Sequence, residues 1–496
     1  MYSGRGFYKW GVGDVDVIRV GDTFHLFHLV LPNHNFIAHA TSRDGLNWQR
    51  VANALFIGDP GNWDDDMLWT MHVSPDPGGG WRMFYTGLSR EEDGRVQRLG
   101  VARSDDLYSW TKVTDGYPLE LSADSSYESR LDEGRHWVSF RDPFVFAEDG
   151  QRWLLAAARV DKGPVVRRGC VALLQETSPG VFDLCEPLYH PRIYDDIEVP
   201  SVVHFAADEV NDDRYYLIGS VREDVKVHYW HSDSFHGRYQ NFFDNVLLPQ
   251  GNYAARVCRD NGRYLIWNFF FRERRSGGEG NMLPPPKELV RNDQGELKLR
   301  SFYGFDDEVR GTQGVDELTP LRLLTDNPSA SGSVRDLSCW FGCDSAFEAF
   351  LLRGHYDCFR LRGTLEMEGS GKCGLLLRLD DDANGYFLSL DLFKGLAQIR
   401  AWGAVPGGET EHAFRYDQLQ ASYFVAKEAG PYQFSLLAFG KYLEFSLDGF
   451  IVLSLADDAY EQGAVGFYTE SAWLRVDNLE LDRLRSPRTQ GYENVT

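Results

Sequence analysis

Three carboxylates in the first two hundred residues share one setting: Asp14 in GVGDVDVIRVGD, Asp142 in SFRDPFVF and Glu198 in YDDIEVPSVVHF. Each has a proline or a small residue within two positions, and each leads into an apolar strand. A single glutamate at a strand edge ordinarily points to water. Glu198 stands between Ile197 and Val199, where burial disfavours the ionised carboxylate and lifts its pKa toward neutrality. Brought together, three such acids have the chemistry of glycosidic bond cleavage. One carboxylic acid protonates the leaving oxygen, and a second carboxylate attacks the anomeric carbon or activates water.

The elements that must hold these acids are strands. Over the first three hundred residues, short runs of alternating or continuous apolar character recur between DG, NG and GD turn signals. A degenerate repeat underlies them. FHLFHL is followed by IAHATSRDGLNWQRV, and WRMFYTG by LGVARSDDLYSWTKV, so that Ser42, Asp44 and Trp48 match Ser104, Asp106 and Trp110. Further copies of the first segment are RWLLAAARV, RYYLIGSV and RYLIWNFFF. Five strand-rich units at this period predict an all-β fold, a five-bladed β-propeller, over residues 1–300. In a propeller the innermost strands converge on a central channel, and the three acids lie where such strands begin. Trp48 and Trp110 recur with the blade pattern and are expected in the core. Residues 301–330, polar and acidic, are expected to be a linker with one helical turn. Residues 331–496 are all-β again, with hairpins near Asn384-Gly385 and Asp448-Gly449, and predict a C-terminal β-sandwich.

At 496 residues the chain exceeds one ordinary core, and 43% hydrophobic content is enough to fill two or three. A formal charge of −23 argues against nucleic acid, which requires clustered Lys and Arg. The 14% aromatic content suits a carbohydrate partner, because ring faces stack on sugar C–H faces. The seven cysteines are odd in number and lack a CxxC pair, so reduced structural thiols are expected. MYSGRGFYKW has no apolar signal core and no run approaches a membrane span, which predicts a soluble, cytoplasmic protein without a membrane partner.

RDPFVF, IEVP, GNYAARVCRDNGRYLIWNFF and MLPPPKELVRNDQGELKLR resemble, in order, the RDP block, the E-C-P block, a later strand pair and the L-P-R-E-L segment of glycoside hydrolase family 32. That family shares its five-bladed propeller with family 43 and carries a C-terminal β-sandwich. The opening KWGVGDVDVIRVGD lacks the family 32 Asn-Asp-Pro and is closer to the A-D-P-x-V-I-R-V-G-D opening of family 43, which puts the matching acid at Asp14, not Asp16. Val199 replaces the family cysteine, and LWTMH stands loosely for the W-S-G-S block.

The resemblance implies that Asp14 is the nucleophile, Asp142 the transition-state stabiliser and Glu198 the acid/base. It also implies that Arg141 contacts the sugar, which requires a local turn at Pro143, because adjacent strand residues point to opposite faces. By the same resemblance Trp69, His72, Asn252 and Tyr253 fall where the family lines its sugar site, while Trp10 is placed to stack on a ring. Asp64, Asp65 and Asp66 are read as a solvated face more readily than as a cation site. His25 and His28 carry no ligand pattern. Neither a cofactor nor a metal is expected, since the retaining mechanism requires none. The leading expectation is an exo-acting, retaining glycosidase that removes a terminal furanose, β-linked fructose first, from a channel closed at its floor. The alternatives are an inverting arabinofuranosidase or xylosidase resembling family 43, a fructosyl transferase, and a sugar-binding protein without catalysis.

Overall fold

The computed structural model describes residues 1–3, 11–271, 281–315, 318–320, 327–335, 338–404, 414–428 and 430–487. Trp10, expected to stack on a sugar, lies outside the described residues. The chain divides into two compact units, Tyr2–Lys298 and Leu299–Arg488.

The first unit is the five-bladed propeller. Each blade is an antiparallel sheet whose strands follow chain order. The innermost strands of blades I to V, numbered in chain order, are Gly11–Val20, Met67–Pro75, Phe140–Glu148, Ile197–Phe205 and Asn252–Asp260. The segments that recur in the sequence are the second strands: Thr23–Leu31, Trp81–Leu88, Gln151–Arg159, Arg214–Val221 and Arg263–Phe270. These are largely buried, which explains their continuous apolar character. The Ser-x-Asp motif makes the turn between the third and fourth strands. Ser42 Oγ accepts from Gly45 N–H at 2.9 Å, and Ser104 Oγ accepts from Leu107 N–H at 2.8 Å. Trp48 is buried and Trp110 packs edge-on against Phe27 at 5.7 Å, as core residues. His28 bonds Tyr2 at 2.9 Å and His25 bonds His39 at 3.1 Å, so both are structural.

The ring closes between its first and last blades. Arg19 on the first inner strand pairs with Asp260 on the fifth. Val12 N–H donates to Asn281 O at 2.9 Å, and Leu283 N–H donates to Tyr2 O at 2.9 Å.

All five inner strands are bulged near their beginnings. The register against the second strand slips between Val12 and Val15, Trp69 and Met71, Arg141 and Phe144, Glu198 and Ser201, and Tyr253 and Arg256. At three of these bulges a residue takes the left-handed region: Asp142 (φ 60°), Val199 (φ 51°) and Ala254 (φ 54°). A β-branched residue such as Val199 rarely adopts that conformation, and such backbone persists where its surroundings enforce it.

The second unit is a β-sandwich built on the long strand Ala464–Leu484. Its first part pairs with Lys372–Leu379 and its second with Phe359–Glu368, the change falling at Ser471 (φ 51°). Strands that pass from one sheet to the other in this way form the corners of sandwiches. The core between the sheets is apolar, with Phe341, Phe350, Phe467, Leu375 and Leu436 buried. Of residues 301–330, expected as a linker, the described segments contribute structure to this unit instead. Tyr303–Glu308 is a 3-10 helix, Val309–Gly314 pairs with Ala464–Leu484, and Leu318–Pro320 pairs with Ser338–Leu352. Their polarity reflects exposed strands, not a tether. Asp448 and Gly449 form the expected hairpin turn, both at positive φ (48° and 81°). No helix among the described residues is long and apolar enough to cross a membrane.

Candidate active site

The bulges decide which side chains share the channel. In a regular strand Arg141 and Asp142 would face opposite ways. The slip between Arg141 and Phe144, with Asp142 at positive φ ahead of Pro143, brings both to one side. Arg141 Nε lies 3.5 Å from Asp142, and its Nη2 donates to Glu198 Oε1 at 2.7 Å. The turn expected at Pro143 is therefore a bulge, and a matching one follows Glu198. Val199 N–H is turned inward there and donates to Asp142 Oδ2 at 2.9 Å, fastening blade IV to blade III.

Glu198 is held at both oxygens, by Arg141 at 2.7 Å and by the Tyr253 hydroxyl from blade V at 2.5 Å. Its side chain keeps 18% exposure against 2% for Asp142, so of the two it is the one open to a ligand. Burial raises its pKa; Arg141 opposes the rise, and the nearby Asp196 and Asp142 charges add to it. Asp14, also partly exposed, accepts a hydrogen bond from the Thr70 hydroxyl of blade II. Burial pushes its pKa up to about 7, with the Asp142 and Glu198 charges adding and the Thr70 bond and Arg256 opposing. Both carboxyl groups are thus shifted toward their protonated forms, the direction a proton donor requires of Glu198.

A second set of groups fixes the first. Asp196 is fully buried; it accepts from Ser139 at 3.0 Å and from Arg159 at 2.6 Å, and lies 3.3 Å from Arg141. Arg256, fully enclosed at the blade V bulge, donates to Pro200 O at 2.5 Å, Pro143 O at 2.8 Å and Asp142 O at 3.3 Å. Thr86 Oγ accepts from Asp142 N–H at 3.1 Å.

Other expected residues go elsewhere. His72 is buried beside Asp16, with Nδ1 3.3 Å from the carboxylate, and its ring packs on Phe144 at 4.6 Å. Asp16 also accepts from Val73 N–H at 2.6 Å, so this acid and His72 form a structural pair and Thr70 supplies blade II's contact to Asp14. The bulge at Thr70 is the reason: in a regular strand Thr70 and His72, two residues apart, would share a face, and the inserted residue separates them. Asn252 is fully buried, accepts from Asn268 at 3.1 Å and donates to Pro249 O at 3.2 Å, away from the acids. Trp69 is half-buried against His34, with rings 5.6 Å apart, and its indole N–H has no partner among the described residues. The acidic run is not a solvated face. Asp64 is buried against the Tyr85 hydroxyl and Lys112, and Asp65 accepts from Gly61 and Arg90 N–H groups. Among the described residues no group of three or more His, Cys, Asp or Glu side chains is arranged to hold a metal ion.

The sequence matches the family model described as glycosyl hydrolases family 32 N-terminal domain over residues 16–268, about half of the chain. The chain belongs to glycosyl hydrolase family 32. The fold of this glycoside hydrolase is also similar to that of solved structures. Fructan 1-exohydrolase IIa from Cichorium intybus is similar with a TM-score of 0.71 and 13% identity, over 96% of each chain. Exo-inulinase from Aspergillus awamori has a TM-score of 0.67 and 12% identity, again over 96% of each chain. A fructofuranosidase from Schwanniomyces occidentalis, complexed with fructosylnystose, has a TM-score of 0.67 and 12% identity, covering 96% of this chain and 95% of that one. No curated protein sequence matches. The family 32 match begins two residues beyond Asp14, so the first half of the opening block that departs from the family pattern, Asp14 included, lies outside it.

Thr70, Asp196 and Arg256 were not singled out from the sequence. Thr70 had one signal, since it occupies in LWTMH the inner-strand position that holds acids in the neighbouring blades. Asp196 and Arg256 had none, because their partners are brought to them by the ring.

Proposed function

We propose that the protein is an exo-acting, retaining glycosidase that releases a terminal β-linked fructofuranosyl unit. The observation that carries this reading is the convergence of three acids from three blades on one bulge level. Glu198 is held there at both oxygens by Arg141 and Tyr253 and is still open to a ligand. In this reading the Asp14 carboxylate attacks the anomeric carbon while Glu198 gives its proton to the departing oxygen. Glu198, then ionised, takes a proton from water, which displaces Asp14 and frees the sugar. Arg141 and Asp142, both enclosed, hold Glu198 and the blade IV bulge in place. Structures of similar fold have been solved with 1-kestose, fructosylnystose and sucrose, which supports a fructose-containing ligand. A second reading, an arabinofuranosidase or xylosidase, has one observation behind it, the family 43-like opening around Asp14.

The test is to incubate the protein and its Asp14→Ala variant with sucrose, 1-kestose, inulin, levan and nitrophenyl arabinofuranosides and xylosides, and to identify the released sugar. Fructose from the wild type and none from the variant is expected. Arabinose or xylose would replace the reading by the second, and fructose moved onto another sugar would make the protein a transferase.

A further inference from the structure

The bulges that carry Asp142 and Glu198 are tied to blade V through one side chain. Arg256 is enclosed beneath the acids, and its guanidinium donates to the carbonyls of Asp142, Pro143 and Pro200, with its carbon 5.3 Å from the centre of the Phe144 ring. These carbonyls belong to Asp142 itself and to the prolines that follow the Asp142 and Val199 turns. Both turns hold backbone in the left-handed region, which surrounding contacts must enforce.

We infer that Arg256 is a positioning residue with two tasks: it locks the blade III and blade IV bulges in register, and its enclosed positive charge favours the carboxylate form of Asp14. The inference rests on the proposed roles of Asp14 and Glu198. Asp14 is faced by the Thr70 hydroxyl from blade II, Asp142 from blade III, Glu198 from blade IV, and Tyr253 and Arg256 from blade V. Arg141 is committed to Glu198, Asp142 and Asp196 on the far side of the cluster. Arg256 in turn faces Asp14 and Asp16 from blade I and Asp142 from blade III. Because its Nη1 and Nη2 groups donate to neutral carbonyls, its charge is not consumed in one ion pair and acts on all three carboxylates.

The two tasks separate by substitution. Arg256→Gln removes the charge and part of the hydrogen bonding. The expected result is a drop in kcat of about ten- to a hundredfold, with KM changed less, and an acid limb of kcat/KM displaced upward by about one pH unit. Arg256→Lys keeps the charge but cannot reach three carbonyls at once, so kcat is expected to fall while the acid limb stays in place. An Arg256→Gln enzyme with the wild-type pH profile, or an Arg256→Lys enzyme with wild-type kcat, would overturn the inference. Should Arg256→Gln fail to fold, the Lys variant alone decides the positioning task. Should the wild type release no sugar, the proposed function fails by itself. Carbon-13 NMR titration of labelled aspartate, with Asp14 assigned by its loss in Asp14→Asn, then still reads whether Arg256→Gln raises the Asp14 pKa; an unmoved resonance would sink the charge task.

Discussion

The propeller and the C-terminal sandwich use the same backbone irregularity to opposite ends. In the propeller five bulges fall near the beginnings of five inner strands, and the side chains they redirect are Asp14, Thr70, Arg141 with Asp142, Glu198 and Tyr253. In the sandwich the irregularities at Ala346 (φ 58°) and Ser471 (φ 51°) accompany register changes along long strands, around a core of Phe341, Phe350 and Phe467. A bulge adds one residue, bends its strand and re-aims a side chain. Repeated around a ring it gathers polar groups at the centre; at the corner of a sandwich it steers the chain and leaves the interior apolar. The lesson is that a bulge acquires chemistry from its place in the topology, not from its geometry.

The largest expected effect tests the propeller side of this contrast. Glu198→Gln keeps one acceptor oxygen for Arg141 and turns its amide N–H toward the Tyr253 hydroxyl, which can accept, but it has no proton of the required acidity. With sucrose, kcat is expected to fall by about 10²–10⁴-fold, while circular dichroism and the unfolding midpoint stay near wild type. Unchanged turnover would mean that the convergence at Glu198 is architectural, and the contrast with the sandwich would collapse.

A smaller effect appears in stability. The folded-state pKa of Asp14 is raised to about 7 by burial, above its value in an unfolded chain. Its favourable contribution is therefore full below pH 4 and is lost as pH rises through about 7. Above that pH the wild type confines an ionised carboxylate that Asn does not carry. Asp14→Asn should thus stabilise the protein more at pH 8 than at pH 5, by about 2–3 kcal/mol, measured by urea unfolding at the two pH values. An equal effect at both would remove Asp14 from the strained, polar class of bulge residue.

The smallest effect belongs to the sandwich. Ser471 is exposed and held at positive φ, a conformation that glycine adopts freely. Ser471→Gly is expected to change stability by about 0.5 kcal/mol or less in the favourable direction, because relief of strain is partly offset by the looser unfolded chain. Sugar release should be unaltered. A loss of activity would show that the sandwich irregularity also serves the chemistry.

Repetition made the architecture legible. Five copies of a buried second strand carry a strong pattern, and the acids that precede three of them follow a shared grammar. Asp14, Arg141, Asp142, Glu198 and Tyr253 all arrive at one place. The inserted residue of each bulge was not legible, since bulges leave no composition of their own beyond Pro143 and Pro200. His72 follows from the family position alone, and the bulge at Thr70 sets that hydroxyl, not His72, beside Asp14. Asn252 was misjudged for a related reason, because residues on either face of an inner strand look equally polar in sequence. Asp64 and Asp65 looked solvated because Lys112, Tyr85 and the Arg90 backbone that bind them lie more than twenty residues away. Residues 301–330 read as a tether because exposed strands share the composition of loops.

The ring closure between Arg19 and Asp260 also has a consequence in time. On a ribosome the strand bearing Asp14 is made first, and the arginine that faces it, Arg256, belongs to the last blade. At roughly 5–20 residues per second, the first carboxylate waits tens of seconds for its partner. Through that interval the blades already made have no closed channel between them, and the nascent chain is an incomplete circle with two unprotected flanks. Sugar release therefore reports a finished circle, so a chain halted before its fifth blade should be inert however well its first four have formed.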